Sequence, residues 1–162
     1  MPLSGANIRS SSYYVAETQA RCAQCGHPCR VLGLALPPNH ETLDDGEWQK
    51  VEANAFIFHI EGLTDAISRR LLQHSAGFHQ TSGGEPSESL WANHCPHCAS
   101  VFSEDELHCE PGGFMPSDAI EAQAISLIHV QQAFSATAAG YALEPEFFAS
   151  MRVAKWPSTF ST

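Results

Sequence analysis

Tyr13-Tyr-Val-Ala-Glu-Thr-Gln-Ala-Arg21 runs into Cys22-Ala-Gln-Cys25-Gly26-His27-Pro28 and returns as Cys29-Arg-Val-Leu-Gly-Leu-Ala-Leu36. The first segment alternates as a strand does, with Tyr14, Ala16, Thr18 and Ala20 on one face. The return carries Leu32, Leu34 and Leu36 on one face, and Pro37-Pro38 ends it. Strand, cysteine turn, strand is what a zinc knuckle requires. A second pair, Cys95-Pro-His-Cys98, stands far down the chain. Two such pairs supply four thiolates, which close a tetrahedral site, so Cys22, Cys25, Cys95 and Cys98 are the expected ligands of one Zn²⁺, with iron as the alternative.

Local chemistry supports this reading. In a tight Cys-x-x-Cys turn, backbone N–H groups after the first cysteine point back at its sulfur. The residue after the second cysteine commonly takes a positive φ, which Gly26 adopts cheaply. Ala99 holds the same place in the second pair, where a positive φ costs roughly 1 kcal/mol. Pro96 fixes φ at the start of its turn and has no N–H to satisfy. The long stretch between the pairs is tolerable: two doublings of an ordinary ribbon spacing add roughly 1.2 kcal/mol of closure entropy. Structural zinc supplies about 10–16 kcal/mol.

Working outward, residues 1–12 read as a loose arm and 39–50 as an acidic, turn-like stretch around Asp44-Asp45-Gly46. Residues 53–60 read as a strand, Phe56, Phe58 and Ile60 facing one way and Ala55, Ile57 and His59 the other. The spacing predicts a helix over 63–74, capped by Thr64 and stopped by Gly77. A polar loop follows over 81–89, and 90–93 is a short strand leading into the second knuckle. Glu110 to Gly113 reads as a turn. For 118–142 two readings compete: a helix begun by an Asp118–Glu121 capping box with Ile120, Ala124, Leu127, Ile128 and Gln131 on one face, and the preferred one, a short helical turn followed by a hairpin. Residues 144–151 read as a last helix before a frayed tail.

The fold class expected from this is α+β. A single domain, 1–162, would hold an antiparallel zinc-ribbon-like core built from segments 13–38 and 90–116. A strand–helix lobe, 39–89, would be inserted into it, and 117–162 would form a C-terminal extension.

The 162 residues are 43 % apolar and 16 % charged, a globular composition with enough chain to bury a core without a metal. Eight basic residues against eighteen acidic ones give a net charge of −10. That balance opposes nucleic-acid binding, which needs Lys and Arg to neutralise phosphates, and a four-thiolate zinc site deepens it. The opening Met1-Pro-Leu-Ser-Gly-Ala-Asn-Ile lacks a basic start followed by an apolar run, so no export signal is expected. No apolar run approaches the roughly 20 residues that span a bilayer. A reducing, cytoplasmic setting follows, where paired cysteines serve as ligands more often than as disulfides.

Cys22-x-x-Cys25-Gly26 and Cys95-Pro-x-Cys98 resemble the two halves of the zinc-ribbon or rubredoxin-type knuckle. The resemblance implies a structural metal, or iron in the rubredoxin case, and no substrate. The chain also resembles bacterial proteins sharing a Tyr-Val start before a Cys-x-x-Cys, a late Asn-His-Cys-x-x-Cys and a Glu-Pro-Gly-Gly turn; no activity comes with that likeness. Cys95-Pro-His-Cys98 is in addition similar to the active-site tetrapeptide of periplasmic disulfide oxidases, but the polar stretch 87–94 before it lacks the buried strand such a site needs.

Cys29 reads as a small buried thiol of the exit strand, and Cys109 as an incidental thiol near a turn. His94 or His97 could replace one thiolate. A second zinc site from His59, His74 and His79 is conceivable, though no spacing signature marks it. Nucleotide-binding, nucleophile-elbow and His-Glu-x-x-His motifs are all missing, and Glu104-Asp105-Glu106 reads as a solvated face. No catalytic constellation is visible. The expected function is therefore a zinc-stabilised cytoplasmic interaction or scaffold protein with an unidentified protein partner. Thiol-redox or rubredoxin-like electron transfer through the cysteine pairs is the alternative.

Overall fold

The computed structural model describes residues 5–75, 77–81, 90–110, 113–143 and 147–155. It is mostly β. The strands are β1 (Ile8–Ser10), β2 (Tyr13–Arg21), β3 (Pro28–Leu36), β4 (His40–Asp44), β5 (Glu47–Val51), β6 (Ala55–Leu63), β7 (Phe78–Gln80), β8 (Trp91–Asn93), β9 (Ser126–Val130), β10 (Phe134–Leu143) and β11 (Arg152–Lys155). The helices are α1 (Asp65–His74), α2 (Glu104–Cys109) and α3 (Ala119–Ala122), with a 3₁₀ turn at Phe148–Ser150. Nine strands form one curled half-barrel sheet in the order β11-β9-β2-β3-β6-β10-β1-β4-β5, and β8 joins it at β6 with β7 beside it. All pairings are antiparallel except β11 with β9.

The middle of this sheet is buried on both faces. β2 sends Tyr13 and Val15 to one side and Tyr14 and Ala16 to the other, and β3 does the same with Leu32, Leu34 and Leu36 against Val31 and Ala35. Ile67 and Leu71 of α1, with Phe78 and Trp91, cover the first face. Leu107, Phe114, Ala122 and Met151 cover the second. Strands buried on two faces read as apolar runs, as 31–36 does. Each of the three leucines, fully buried, contributes about 1.5–3 kcal/mol.

The zinc-ribbon-like core with an inserted lobe is overturned by this topology. β4, β5 and β6, all from 39–89, lie in the main sheet, and β6 sits near its centre between β3 and β10. The segment 117–162 supplies β9, β10 and β11 to that same sheet. The knuckles occupy one end of a large β structure whose core lies elsewhere.

Local expectations fared unevenly. β2 and β3 fall where the sequence places them, and Thr64 caps α1 by accepting from the Ile67 N–H at 3.4 Å. The turn-like stretch 39–50 is instead a hairpin, β4 to β5, closed by Asp45 (φ 50°) and Gly46 (φ 79°). Two left-handed residues in a two-residue loop are what an Asp-Gly hairpin needs. The short helical turn over 119–122 is present, with Asp118 accepting from Glu121 N–H at 2.8 Å, but the hairpin after it is not. β9 joins β2 and β11, whereas β10 joins β6 and β1.

The facing expected for β6 is also corrected. Its pairing with β10 slips by one residue between Thr137 and Ala138, and His59 takes a left-handed φ of 51°. The left-handed step at His59 breaks the alternation, so Ile60 joins Ile57 on the α1 face while Phe56 packs on the opposite one. Residues 8–10 of the expected loose arm form β1, and residues 152–155 of the expected tail form β11. The expected loop at 82–89, the centre of the 110–113 turn, the start of the 144–151 helix and the tail at 156–162 lie outside the described residues.

Candidate metal centre

Two turns of the same construction build the site. In the first, β2 ends at Arg21, Cys22 N–H donates to His27 O at 2.9 Å, and Gly26 N–H donates to Cys22 O at 2.9 Å. In the second, Cys95 N–H donates to Ser100 O at 2.9 Å, and Ala99 N–H donates to Cys95 O at 2.8 Å. Gly26 has φ 76° and Ala99 φ 64°, so the second turn adopts the left-handed step without the glycine that would make it cheap. An isolated bridge between His94 and Val101 squares off this second turn as a minimal hairpin.

One side chain fixes the turns against each other. Asn93, the last residue of β8, accepts from Leu32 N–H and donates to Leu32 O, both at 2.8 Å. β3 pairs with β6 only from Leu34 to Leu36. At Leu32 the Asn93 amide therefore takes the place of a neighbouring strand, and it does so two residues before Cys95. Buried backbone groups left unpaired would each cost about 1–3 kcal/mol.

The result brings all four expected ligands together. The Sγ atoms of Cys22, Cys25, Cys95 and Cys98 all lie within 4.8 Å of one another. Cys22 and Cys98 are 3.6 Å apart, as are Cys25 and Cys95. A tetrahedron with Zn–S bonds of about 2.3 Å has edges of roughly 3.8 Å, so the spacing fits a single four-coordinate ion. His97 N–H donates to Cys95 Sγ at 3.4 Å, the backbone-to-sulfur contact expected of such a turn. Cys22 and Cys95 are buried, Cys25 is half-buried and Cys98 is exposed.

Acidity is unequal across the cluster in the metal-free chain. Burial alone would raise the Cys95 thiol, but the N–H groups of Cys98 and His97, with help from Cys29 and Cys25, bring it down to about 6. The Ser100 hydroxyl and N–H hold Cys98 below its usual range. Cys29 moves the other way, to about 11, because it is buried and neighbours Cys95.

Cys29 is the residue that sequence reasoning undervalued. Its Sγ lies 3.5 Å from Cys95 Sγ and 3.4 Å from the His27 carbonyl, to which it donates. Five of the six cysteines thus gather at one end of the sheet, and only Cys109 stays apart, exposed on α2. The signal was the four-residue step from Cys25 to Cys29 on the exit strand, which aims the third sulfur back toward the turn.

The histidines do not join the cluster. His94 Nδ1 faces the carbonyls of Gly77 and Ala92, both at 3.1 Å, and its ring stacks on His79 at 3.7 Å. His97 stacks on His27 at 4.2 Å, and His27 Nδ1 lies 3.4 Å from Cys25 Sγ. His59 meets Asp105 at 2.8 Å and His74 meets Glu17 at 2.5 Å, so His59, His74 and His79 are spread over three separate partners. Among the described residues, no other group of three or more metal-binding side chains comes together.

A second polar feature was hidden in the acidic run. α2 is capped by Ser103, which accepts from Glu106 N–H at 3.3 Å, and turns Glu104 and His108 inward at a spacing of one turn. His108 lies flat on Phe58 at 4.7 Å and near Phe114 at 5.1 Å. Burial lowers it to about 3, so it is a neutral ring. Burial likewise raises the Glu104 carboxyl to about 8, partly offset by a hydrogen bond from Asn93. The expected solvated face is correct for Asp105 and Glu106 and wrong for Glu104.

Among the described residues, no helix is long and apolar enough to cross a membrane. Comparison with protein-family models, curated proteins and solved structures finds no match to this chain.

Proposed function

We propose that this is a structural zinc protein, in which Cys22, Cys25, Cys95 and Cys98 hold one Zn²⁺ in a closed four-thiolate site. The observation that carries the reading is the convergence of four sulfurs, from turns far apart in sequence, at the spacing of a tetrahedral ion. A site with four protein ligands leaves no position for a substrate, so the metal's work is to tie the β2–β3 turn to the turn after β8. The protein then acts as a cytoplasmic scaffold or interaction module for a protein partner. Its charge of −10 argues against nucleic acid as that partner.

Elemental analysis of protein purified without chelator tests this. One equivalent of zinc per chain and a colourless solution are expected. Less than half an equivalent of any transition metal would reject the reading. Red protein carrying iron would replace it with rubredoxin-like electron transfer, which the same four sulfurs and the N–H donor at Cys95 also suit.

A further inference from the structure

We propose that Cys29 is a resolving thiol which lets the metal centre be oxidised by a hydroperoxide without losing its ion. The inference rests on the four-thiolate reading and extends it. Cys29 Sγ is 3.5 Å from Cys95 Sγ, as near as the ligand pairs at 3.6 Å, yet it lies outside the four-sulfur set. A disulfide between two ligands removes two of the four metal bonds. A disulfide between Cys29 and Cys95 removes one and leaves Cys22, Cys25 and Cys98 in place. Three protein ligands are the number that reactive zinc sites keep, whereas two hold the ion poorly.

The route follows from exposure. Cys98 is the exposed ligand, where a hydroperoxide arrives first. Its thiolate takes OH from the peroxide and releases an alkoxide, which water protonates. The Cys95 thiolate, within 4.8 Å, attacks Cys98 Sγ and displaces hydroxide, giving a Cys95–Cys98 disulfide. Cys29 then attacks Cys95 Sγ, Cys98 leaves as a thiolate, and the Cys29 proton neutralises the hydroxide. In total, one thiol, one thiolate and one hydroperoxide give one disulfide, one alcohol and hydroxide. Closing from 3.5 Å to the S–S bond length of about 2.05 Å needs roughly 1.5 Å of movement, within the reach of a side-chain rotation. The exchange ends at Cys29 because that product keeps the most metal bonds.

The test treats metal-loaded, full-length protein with one equivalent of hydrogen peroxide. Peptide mapping locates the disulfide, and a chromophoric chelator reads the released ion. Wild type is expected to form Cys29–Cys95 and to retain its metal. Cys29→Ser is expected to join two ligands and to release about one ion per disulfide. A ligand–ligand disulfide with metal release in wild type would overturn the proposal, as would Cys29→Ser behaving like wild type. Cys29→Ala replaces the serine variant if that one misfolds, and the wild-type linkage and metal content decide the matter without either. Metal content measured before oxidant separates the two readings: no metal at the outset rejects the four-thiolate site itself.

Discussion

At Ala99 and Gly26 two equivalent backbone positions carry different residues, and each should report the strain it bears. Replacing Gly26 with Ala puts a Cβ at φ 76° and should cost about 1 kcal/mol, while Ala99→Gly relieves φ 64° and should be neutral or stabilising by up to about 1 kcal/mol. Denaturant titration of the metal-loaded variants checks the opposite signs. Glu104 makes a sharper prediction. Its folded carboxyl is raised to about 8 from an ordinary 4.5, so the folded state favours the protonated form. Stability is therefore full below pH 4.5 as far as this group is concerned, and falls as pH rises from there to about 8, by several kcal/mol in all. His108, lowered to about 3, acts on the other side: its contribution is present above pH 6.5 and is lost as pH falls toward 3. Glu104→Gln should remove the alkaline slope, gaining on wild type most at pH 8–9 and least near pH 5. Parallel slopes in the two proteins would show that Glu104 does not titrate as a buried acid.

Among the elements, what could be read from the sequence was whatever rests on neighbouring residues. Thr64 capping α1, Asp118 capping α3 and the alternation of β2 are all contacts within a few positions, so composition and spacing reveal them. The bulge in β6 is different, because it answers to β10. Gly140 lies opposite Phe58, and a Cβ placed there would come within 2.4 Å of the Phe58 ring. Gly140→Ala should thus displace that ring and cost about 1–3 kcal/mol, measured as a lowered denaturation midpoint with little change in metal content. Asn93→Ala should behave otherwise. It strips both hydrogen bonds from Leu32, next to the second knuckle, and should lower stability by about 2–4 kcal/mol and weaken metal retention against a competing chelator. Equal metal retention in the two variants would mean that Asn93 does not position the knuckle.

Over the whole molecule, the cysteine cluster was legible and the architecture was not, for one physical reason. Cys22, Cys25, Cys95 and Cys98 announce themselves because a metal site needs particular atoms at short spacing. Sheet order is set by pairings such as Ile57 with Tyr141 and Val15 with Ile128, which no local pattern encodes. The sheet also has its own core on both faces, built from Leu32, Leu34, Ile57, Val31, Phe56 and Leu127. Chelation should therefore lower the melting temperature by many degrees while leaving most of the β circular-dichroism signal. Full unfolding on chelation would show the metal to be indispensable to the sheet. The centre itself is tested most directly by X-ray absorption at the metal edge of protein purified without chelator. A single shell of four sulfurs at about 2.3 Å around zinc is the expected result. A first shell containing nitrogen or oxygen at 2.0–2.1 Å, or no bound metal, would contradict it.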